Sequence, residues 1–307
     1  MGLKLESNEG VSMMDKFTVG FIGLGIMGES MAERIIRAGH ETFIYDIDKA
    51  RMDKVEKLGG KPCVSIAELA KLATHIIVMV PSNKNVRDVI GQVIPAMKPG
   101  TIIIDMSTIS PVVSKELANK VKEKGGTMID APVVKSKAAA ISGDLGILVG
   151  GDKSTFDAVT PLLQCMGKNI IHMGPNGSGL AMKLCHNMLV GEIQNGVNEM
   201  LVLANAAGLD MDSVVKAISY GGGQNFYLDS KATSIKARDF ESKFPFEHMA
   251  KDMNLIIDYA RSLGLDLEVA NYVRGIYNVG MDEHLGKEDF SASIKIVEKS
   301  AQKRASK

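Results

Sequence analysis

Residues 17–46, FTVGFIGLGIMGESMAERIIRAGHETFIYD, pass from an apolar run through a glycine-rich turn and a helical pattern to a second apolar run closed by an acid. The run Val19 to Ile22 reads as a buried strand. Gly23, Gly25 and Gly28 follow it at once in G-x-G-x-x-G spacing, with Ile26 and Met27 between the last two. The first glycine permits a tight turn, the second lets a pyrophosphate come close to the backbone, and the third lets the helix pack against the strand. The helix N-terminus then turns free N–H groups toward the phosphates. Asp46 ends the second strand, where a carboxylate accepts hydrogen bonds from ribose hydroxyls. It would repel a 2′-phosphate, so the expected dinucleotide is NAD rather than NADP. Glycine triplets occur in many loops; the strand before, the helix after and the acid beyond are what make this one a dinucleotide site. Arg51, just past Asp46, is placed to stack on adenine or, less readily, to meet a 2′-phosphate.

Composition narrows the class without choosing the chemistry. With 307 residues the chain has room for two domains. Lys+Arg and Asp+Glu are both 36, a formal charge of +0, which gives no footprint for nucleic acid or a membrane surface. No apolar segment approaches the roughly 20 residues that span a bilayer. The first sixteen residues, MGLKLESNEGVSMMDK, lack the apolar core of a secretory signal and are expected to form a disordered extension. Cys63, Cys165 and Cys185 are odd in number and show no C-x-x-C spacing, so reduced, buried thiols in a cytoplasmic protein are expected. The six histidines form no metal-ligand pattern, and no metal site is expected.

Two textures divide the chain. From residue 17 to 177, β-rich runs (FTVGFIG, ETFIYD, THIIVMV, TIIID, TMIDAPV, LGILVG, NIIHMG) alternate with helical stretches, and several runs are apolar throughout. That texture predicts parallel strands covered by helices on both faces, an α/β doubly wound domain. From 178 to 307 the pattern is helical only. Ser178 can cap a long helix that Gly208 ends. At ~1.5 Å per residue it spans about 45 Å, enough to join two domains and to contribute to a homodimer or homotetramer contact. MDSVVKAIS, FEHMAKDMNLIIDYARSLG, LEVANYVRGIYNVGMDE and SASIKIVEKSAQK complete the helical half, and the tail QKRASK is expected to fray.

Four motifs together, GFIGLGIMG at residues 20–28, Asp130-Ala131-Pro132-Val133, Lys183-x-x-x-Asn187 and Lys251-Asp252, resemble those of the β-hydroxyacid dehydrogenase family. The resemblance runs from Phe17 to the last helix. It implies an NAD-linked oxidoreductase that interconverts a short acid bearing a terminal alcohol with its aldehyde. Lys183 would be the catalytic acid/base, and Asn187, four residues on and on the same helix face, would hold the reacting oxygen or the lysine. A lysine near an apolar cleft can have its pKa lowered toward neutrality, as that role requires. Lys251 would approach cofactor and substrate from the helical domain. Val80, Pro81 and Ser82, with Ser107 and Thr108, would line the nicotinamide half of the cofactor.

Departures from the family pattern sharpen the expectation. The decarboxylating relatives of the 6-phosphogluconate dehydrogenase type carry a glutamate three residues after the asparagine, where this chain has Val190. An apolar side chain cannot donate that proton, so plain alcohol/aldehyde interconversion is expected. The family loop usually reads D-x-P-V-S-G-G, its serine and glycines cradling a substrate carboxylate; here Val134, Lys135 and Ser136 stand in the last three places. Sulfolactaldehyde reductase similarly has a basic residue followed by a hydroxyl residue in this loop. A small anionic substrate is therefore expected, with a sulfonate favoured and a carboxylate such as 3-hydroxyisobutyrate, tartronate semialdehyde/glycerate or 4-hydroxybutyrate as the alternative. Relatives that only bind nucleotides, or that reduce imines, replace the lysine, so Lys183 disfavours both.

Overall fold

The computed structural model describes residues 16–305. The first half runs β1 (Thr18–Ile22), α1 (Gly28–Arg37), β2 (Glu41–Tyr45), α2 (Lys49–Glu56), β3 (Lys61–Pro62), α3 (Ile66–Leu72), β4 (His75–Val78), α4 (Asn83–Val93), β5 (Ile102–Asp105) and α5 (Pro111–Lys122). It continues with β6 (Thr127–Asp130), β7 (Val133–Val134), α6 (Lys137–Ser142), β8 (Leu145–Gly150), α7 (Lys153–Gln164) and β9 (Gly167–Gly174). Among the described residues, nine strands form one sheet, and β3-β2-β1-β4-β5-β6 lie side by side and parallel. This order reverses between β1 and β4, the topological switch where open α/β sheets bind ligands beyond the strands' carboxyl ends. The all-apolar runs are buried from both faces: Ile76, Ile77, Val78, Ile103 and Ile104 are each 0% exposed.

The far side of the sheet departs from the expected parallel arrangement. TMIDAPV is two strands rather than one, broken at Ala131-Pro132, and β8 runs antiparallel to both pieces. Only residues 135–144 join β7 to β8, short of the dozen or so that a parallel crossover requires. An apolar run has the same texture in either direction, so strand direction had to come from connection length.

The second half is helical: α8 (Ser178–Ala206), α9 (Met211–Ile218), α10 (Phe226–Ala237), α11 (Phe246–Ser262), α12 (Glu268–Asp282) and α13 (Ile294–Ala301). Its core centres on Phe246, Met249, Met253, Ile257 and Tyr277, packed against α8 through Val190, Val197 and Leu201. The methionines fill this helical core as flexible side chains do. Helix α10, which the apolar spacing does not announce, buries Leu228, Ala232 and Ile235 and is capped by Asn225, whose Oδ1 accepts the Leu228 N–H at 2.9 Å.

The long helix starts differently from expectation. Ser178 is its first residue, and the cap position is Gly177, in the left-handed region at φ 89 with no side chain to offer. The free N–H groups go instead to a side chain distant in sequence. Asp130, at the end of β6, accepts Gly177 N–H on Oδ1 at 2.6 Å and Leu180 N–H on Oδ2 at 2.8 Å. The carboxylate is fully buried and joins the sheet to the helix that carries Lys183. Gly208 ends α8 as expected, at φ 78. The tail corrects the expectation of fraying as far as Ala305, which is 2% exposed and donates its N–H to Glu298 Oε1 at 2.8 Å. Cys185 corrects the expectation of buried thiols, since it is exposed whereas Cys63 and Cys165 are buried. The expected extension at residues 1–16 lies outside the described residues except for Lys16. Among the described residues no helix is long and apolar enough to cross a membrane.

Candidate active site

Three turns at the carboxyl ends of β1, β4 and β5 form one wall of the site. In the first, Gly23 has φ 97, and a Cβ there would lie 2.2 Å from Met79 O; at Gly28 it would lie 1.9 Å from Gly23 O. Both positions are closed to any side chain. Gly25 differs: a Cβ would meet only Arg51 Nη1, at 3.6 Å, so the backbone there faces open space beside a guanidinium. Ile26 is exposed and Met27 half-buried at the start of α1. Asp46 accepts Leu24 N–H on Oδ2 at 2.6 Å and Asp48 N–H on Oδ1 at 2.8 Å, which locks the glycine turn to the end of β2. Arg51 is held by this acidic end, with Nε 3.3 Å from Asp48 and Nη1 3.9 Å from Asp46. A glycine face open beside a cation, with a buried carboxylate at the ribose position, fits a dinucleotide.

The other two turns are tied to each other. Ser107 Oγ accepts the Val80 N–H at 3.0 Å, and the Ser107 N–H in turn donates to Asp105 Oδ1 at 3.0 Å. Pro81 is exposed, and Ser82 caps α4, its Oγ accepting the Asn85 N–H at 3.3 Å. Thr108 offers its carbonyl oxygen across the domain junction to Lys251 Nζ on α11, 2.7 Å away. Lys251 also lies 3.1 Å from Asp252 Oδ1, and Asp252 Oδ2 accepts the Asn187 Nδ2–H at 2.6 Å. Asn187 Oδ1 is in turn 2.9 Å from His186 Nδ1. A polar path thus runs from the β5 turn through Lys251 and Asp252 to Asn187, one turn of α8 beyond Lys183.

Lys183 is 9% exposed. Burial pushes its amine down to about 8, the neighbouring Lys251 pushes the same way, and Asp252 opposes them. The structure therefore brings Lys183, Asn187, Lys251 and Asp252 together at the junction of the two halves, beside the turns that carry Val80 and Thr108. Val190 faces away from any proton transfer, packed in the helical core at 7% exposure.

The substrate loop is a different matter. Val134 is half-buried, while Lys135 and Ser136 are exposed, Ser136 at the cap of α6. Lys135 adopts φ 80, in the left-handed region, at a cost of about 1–2 kcal/mol for a residue with a Cβ. Its Nζ is 2.6 Å from Asp144 Oδ2, so the new cation comes with its own counter-ion. The lysine holds the Asp144 carboxyl below the usual carboxylate range.

Two site residues escape a reading of local pattern. Asp252 follows Lys251 and does pair with it through Oδ1 at 3.1 Å, but what the local pattern does not show is that its Oδ2 accepts from Asn187, 65 positions earlier in the chain. Asp105 lies two residues before Ser107 at a strand end, a D-x-S spacing that marks an Asx turn and could have been singled out.

These turns, the cradle at Gly25 and the buried lysine define a two-domain dinucleotide-linked oxidoreductase. Comparison with known proteins gives the family. Residues 18–174 match the model described as the NAD binding domain of 6-phosphogluconate dehydrogenase, and residues 177–297 the one described as NAD-binding of NADP-dependent 3-hydroxyisobutyrate dehydrogenase. Mitochondrial 3-hydroxyisobutyrate dehydrogenase of Mus musculus is 34% identical over 92% of this chain and 87% of its own. The 2-(hydroxymethyl)glutarate dehydrogenase of Eubacterium barkeri is 31% identical over 93% of this chain and 96% of its own. The solved structure of Mycobacterium tuberculosis 3-hydroxyisobutyrate dehydrogenase with L-serine superposes with a TM-score of 0.87 at 31% identity, covering 92% of this chain and 99% of that one. The chain belongs to the β-hydroxyacid dehydrogenase family of the 3-hydroxyisobutyrate dehydrogenase type, NAD(P)-dependent oxidoreductases acting on CH–OH groups.

Proposed function

We propose that this enzyme uses NAD to interconvert a short 3-hydroxy carboxylate and its aldehyde, with Lys183 as acid/base. The observation that carries the reading is the buried Lys183 amine, pushed down to about 8 and standing one helical turn from Asn187. The dinucleotide, when bound, accepts or supplies the hydride. Neutral Lys183 takes the hydroxyl proton as the alcohol is oxidised and returns it in reduction. Asn187 has one Nδ2–H committed to Asp252, which leaves the second for the reacting oxygen. Lys251, fixed on Thr108 O, supplies a cation at the junction for the substrate's acid group.

NAD is proposed over NADP because the Asp46 carboxylate, held by two backbone N–H groups, cannot swing away from a 2′-phosphate. An Asp46→Ser variant is expected to lose about tenfold in kcat/KM with NAD and to gain with NADP, measured as the ratio of the two values. An unchanged ratio would remove Asp46 from cofactor choice.

A carboxylate is the proposed acid group because the Lys135 charge is already met by Asp144, and because the relatives above are named for carboxylic acids. One observation favours a sulfonate instead: a lysine and a hydroxyl residue replace the loop's two glycines. Lys135→Ala separates the readings cleanly, since both residues bear the same left-handed backbone cost and only the charge is lost. The carboxylate reading expects KM for 3-hydroxyisobutyrate to change less than about threefold, whereas the sulfonate reading expects KM for 2,3-dihydroxypropanesulfonate to rise about tenfold or more. We further propose a homodimer or homotetramer in the cytoplasm. Leu189 and Leu203 on α8 and Tyr272 on α12, at 56, 72 and 58% exposed, support a subunit contact, and the three free thiols support a reducing compartment. A monomer by light scattering at micromolar concentration would contradict the first.

A further inference from the structure

Helix α11 presents more than Lys251 and Asp252 to the junction of the two halves. His248 stands three residues before the lysine and four before the acid, so all three side chains leave one face of the helix. The bonds of its two neighbours show where that face points. Lys251 Nζ reaches Thr108 O at 2.7 Å, and Asp252 Oδ2 accepts the Asn187 Nδ2–H at 2.6 Å. The opposite face, Phe246, Met249, Met253 and Ile257, is closed within the helical core. His248 is half-buried, and its ring makes no hydrogen bond among the described residues. Packing holds the ring in place: Phe244, just ahead of the helix, meets it edge-on with centroids 6.0 Å apart, and Phe290 backs Phe244 at 5.8 Å. A held ring with unspent nitrogens, one turn from the cation assigned to the substrate's acid group, is a hydrogen-bonding group on offer.

The charge state of the ring selects its partner. Burial holds His248 below the usual histidine range and Lys251 pushes the same way; Asp252 and Glu247 oppose them, and Lys287 adds a smaller downward push. The neutral ring has one N–H donor and one acceptor nitrogen. A hydroxyl, which both donates and accepts, matches that pair. A methyl group in the same place leaves the ring nitrogens without a partner once the site closes on its substrate. We propose that His248 is a specificity-determining residue that hydrogen-bonds a hydroxyl on the carbon next to the substrate's acid group. The enzyme then takes 2,3-dihydroxy acids in preference to 3-hydroxy acids that carry a methyl group at that carbon. With the acid group on Lys251, the neighbouring carbon lies within a bond or two of that cation, and His248 is the polar side chain one turn of α11 away. The proposal rests on the dehydrogenase reading above.

Glycerate and 3-hydroxyisobutyrate test this directly, because they differ only in bearing a hydroxyl or a methyl on that carbon. Wild type is expected to oxidise glycerate with a kcat/KM about tenfold or more above that for 3-hydroxyisobutyrate. His248→Leu should lower kcat/KM for glycerate about tenfold, mainly through KM with kcat within about threefold, because Lys183 is untouched. The same variant should raise kcat/KM for 3-hydroxyisobutyrate about threefold, since leucine leaves no unpaired nitrogen against the methyl group. His248→Gln keeps a donor and an acceptor and should bring glycerate back to within about threefold of wild type. A ring that serves only to pack against Phe244 would move both substrates together. Equal losses in His248→Leu, or an unchanged ratio of the two substrates, would therefore overturn the proposal. If the leucine variant does not fold, wild type and His248→Gln decide it. A wild type that prefers 3-hydroxyisobutyrate overturns the proposal, and a glycerate preference that persists in His248→Gln supports it. An active wild type with an indifferent His248→Leu defeats only this proposal, whereas a wild type inactive on every 3-hydroxy acid defeats the dehydrogenase reading with it.

Discussion

Lys183→Met is expected to leave a folded, dinucleotide-binding protein whose kcat is about a thousandfold or more below wild type. The methionine keeps the stem's volume and gives up the proton carrier, so the loss reads acid/base chemistry rather than packing. Stability should move the other way. The buried amine has a folded-state pKa of about 8, below its ordinary value, so the charged form is disfavoured in the fold. The destabilisation is complete below about pH 8 and fades as pH rises toward the unfolded value; at neutral pH it is worth about 3 kcal/mol as an upper figure. Thermal unfolding of Lys183→Met should therefore occur above wild type at pH 7, with the gap closing at pH about 10. A variant that is less stable and equally active would mean that Lys183 is a structural residue.

Asp130→Ala should give the largest loss of stability, and the loss should depend on pH. The substitution leaves the Gly177 and Leu180 N–H groups buried without an acceptor, about 1–3 kcal/mol for each. Against this stands the cost of ionising the carboxyl, which burial raises to about 6 despite its bonds to the helix start. A carboxyl raised on folding favours the folded state below its unfolded pKa, and that advantage is lost as pH rises through about 6. The deficit of Asp130→Ala should therefore be largest, about 3 kcal/mol, at pH 4–5 and smaller above pH 7, read from urea midpoints. No larger side chain can take over the joint, because a Cβ on Gly150 would stand 2.7 Å from Gly179 N and one on Gly179 2.3 Å from Leu148 O. Turnover should fall as well, since α8 carries Lys183 from this anchor.

What the sequence disclosed follows from where its information is local. The glycine spacing, the apolar strands and the acid at Asp46 act within one βαβ unit, and the structure assembles them as their order implies. Lys183 and Asn187 share a helix face by spacing alone. The cap of that helix did not follow, because Asp130 comes from a strand 47 residues before Gly177. Strand direction beyond β6 was invisible to hydropathy. Lys135 was legible as a cation on the substrate loop but not as a paired one, since Asp144 is recognised as its partner only once the loop's left-handed turn brings them together. Asp252 and Asp105 are short polar residues beside better-known neighbours, and their partners lie on other elements.

The most direct measurement is the pH dependence of NADH formation by the wild-type enzyme with a short 3-hydroxy acid and saturating NAD. If the buried Lys183 amine takes the alcohol proton, kcat/KM for oxidation rises with pH through a single ionisation near 8 and then levels, while the reduction of the aldehyde falls over the same interval. A profile flat across that interval, or no NADH from any 3-hydroxy acid, would contradict the account.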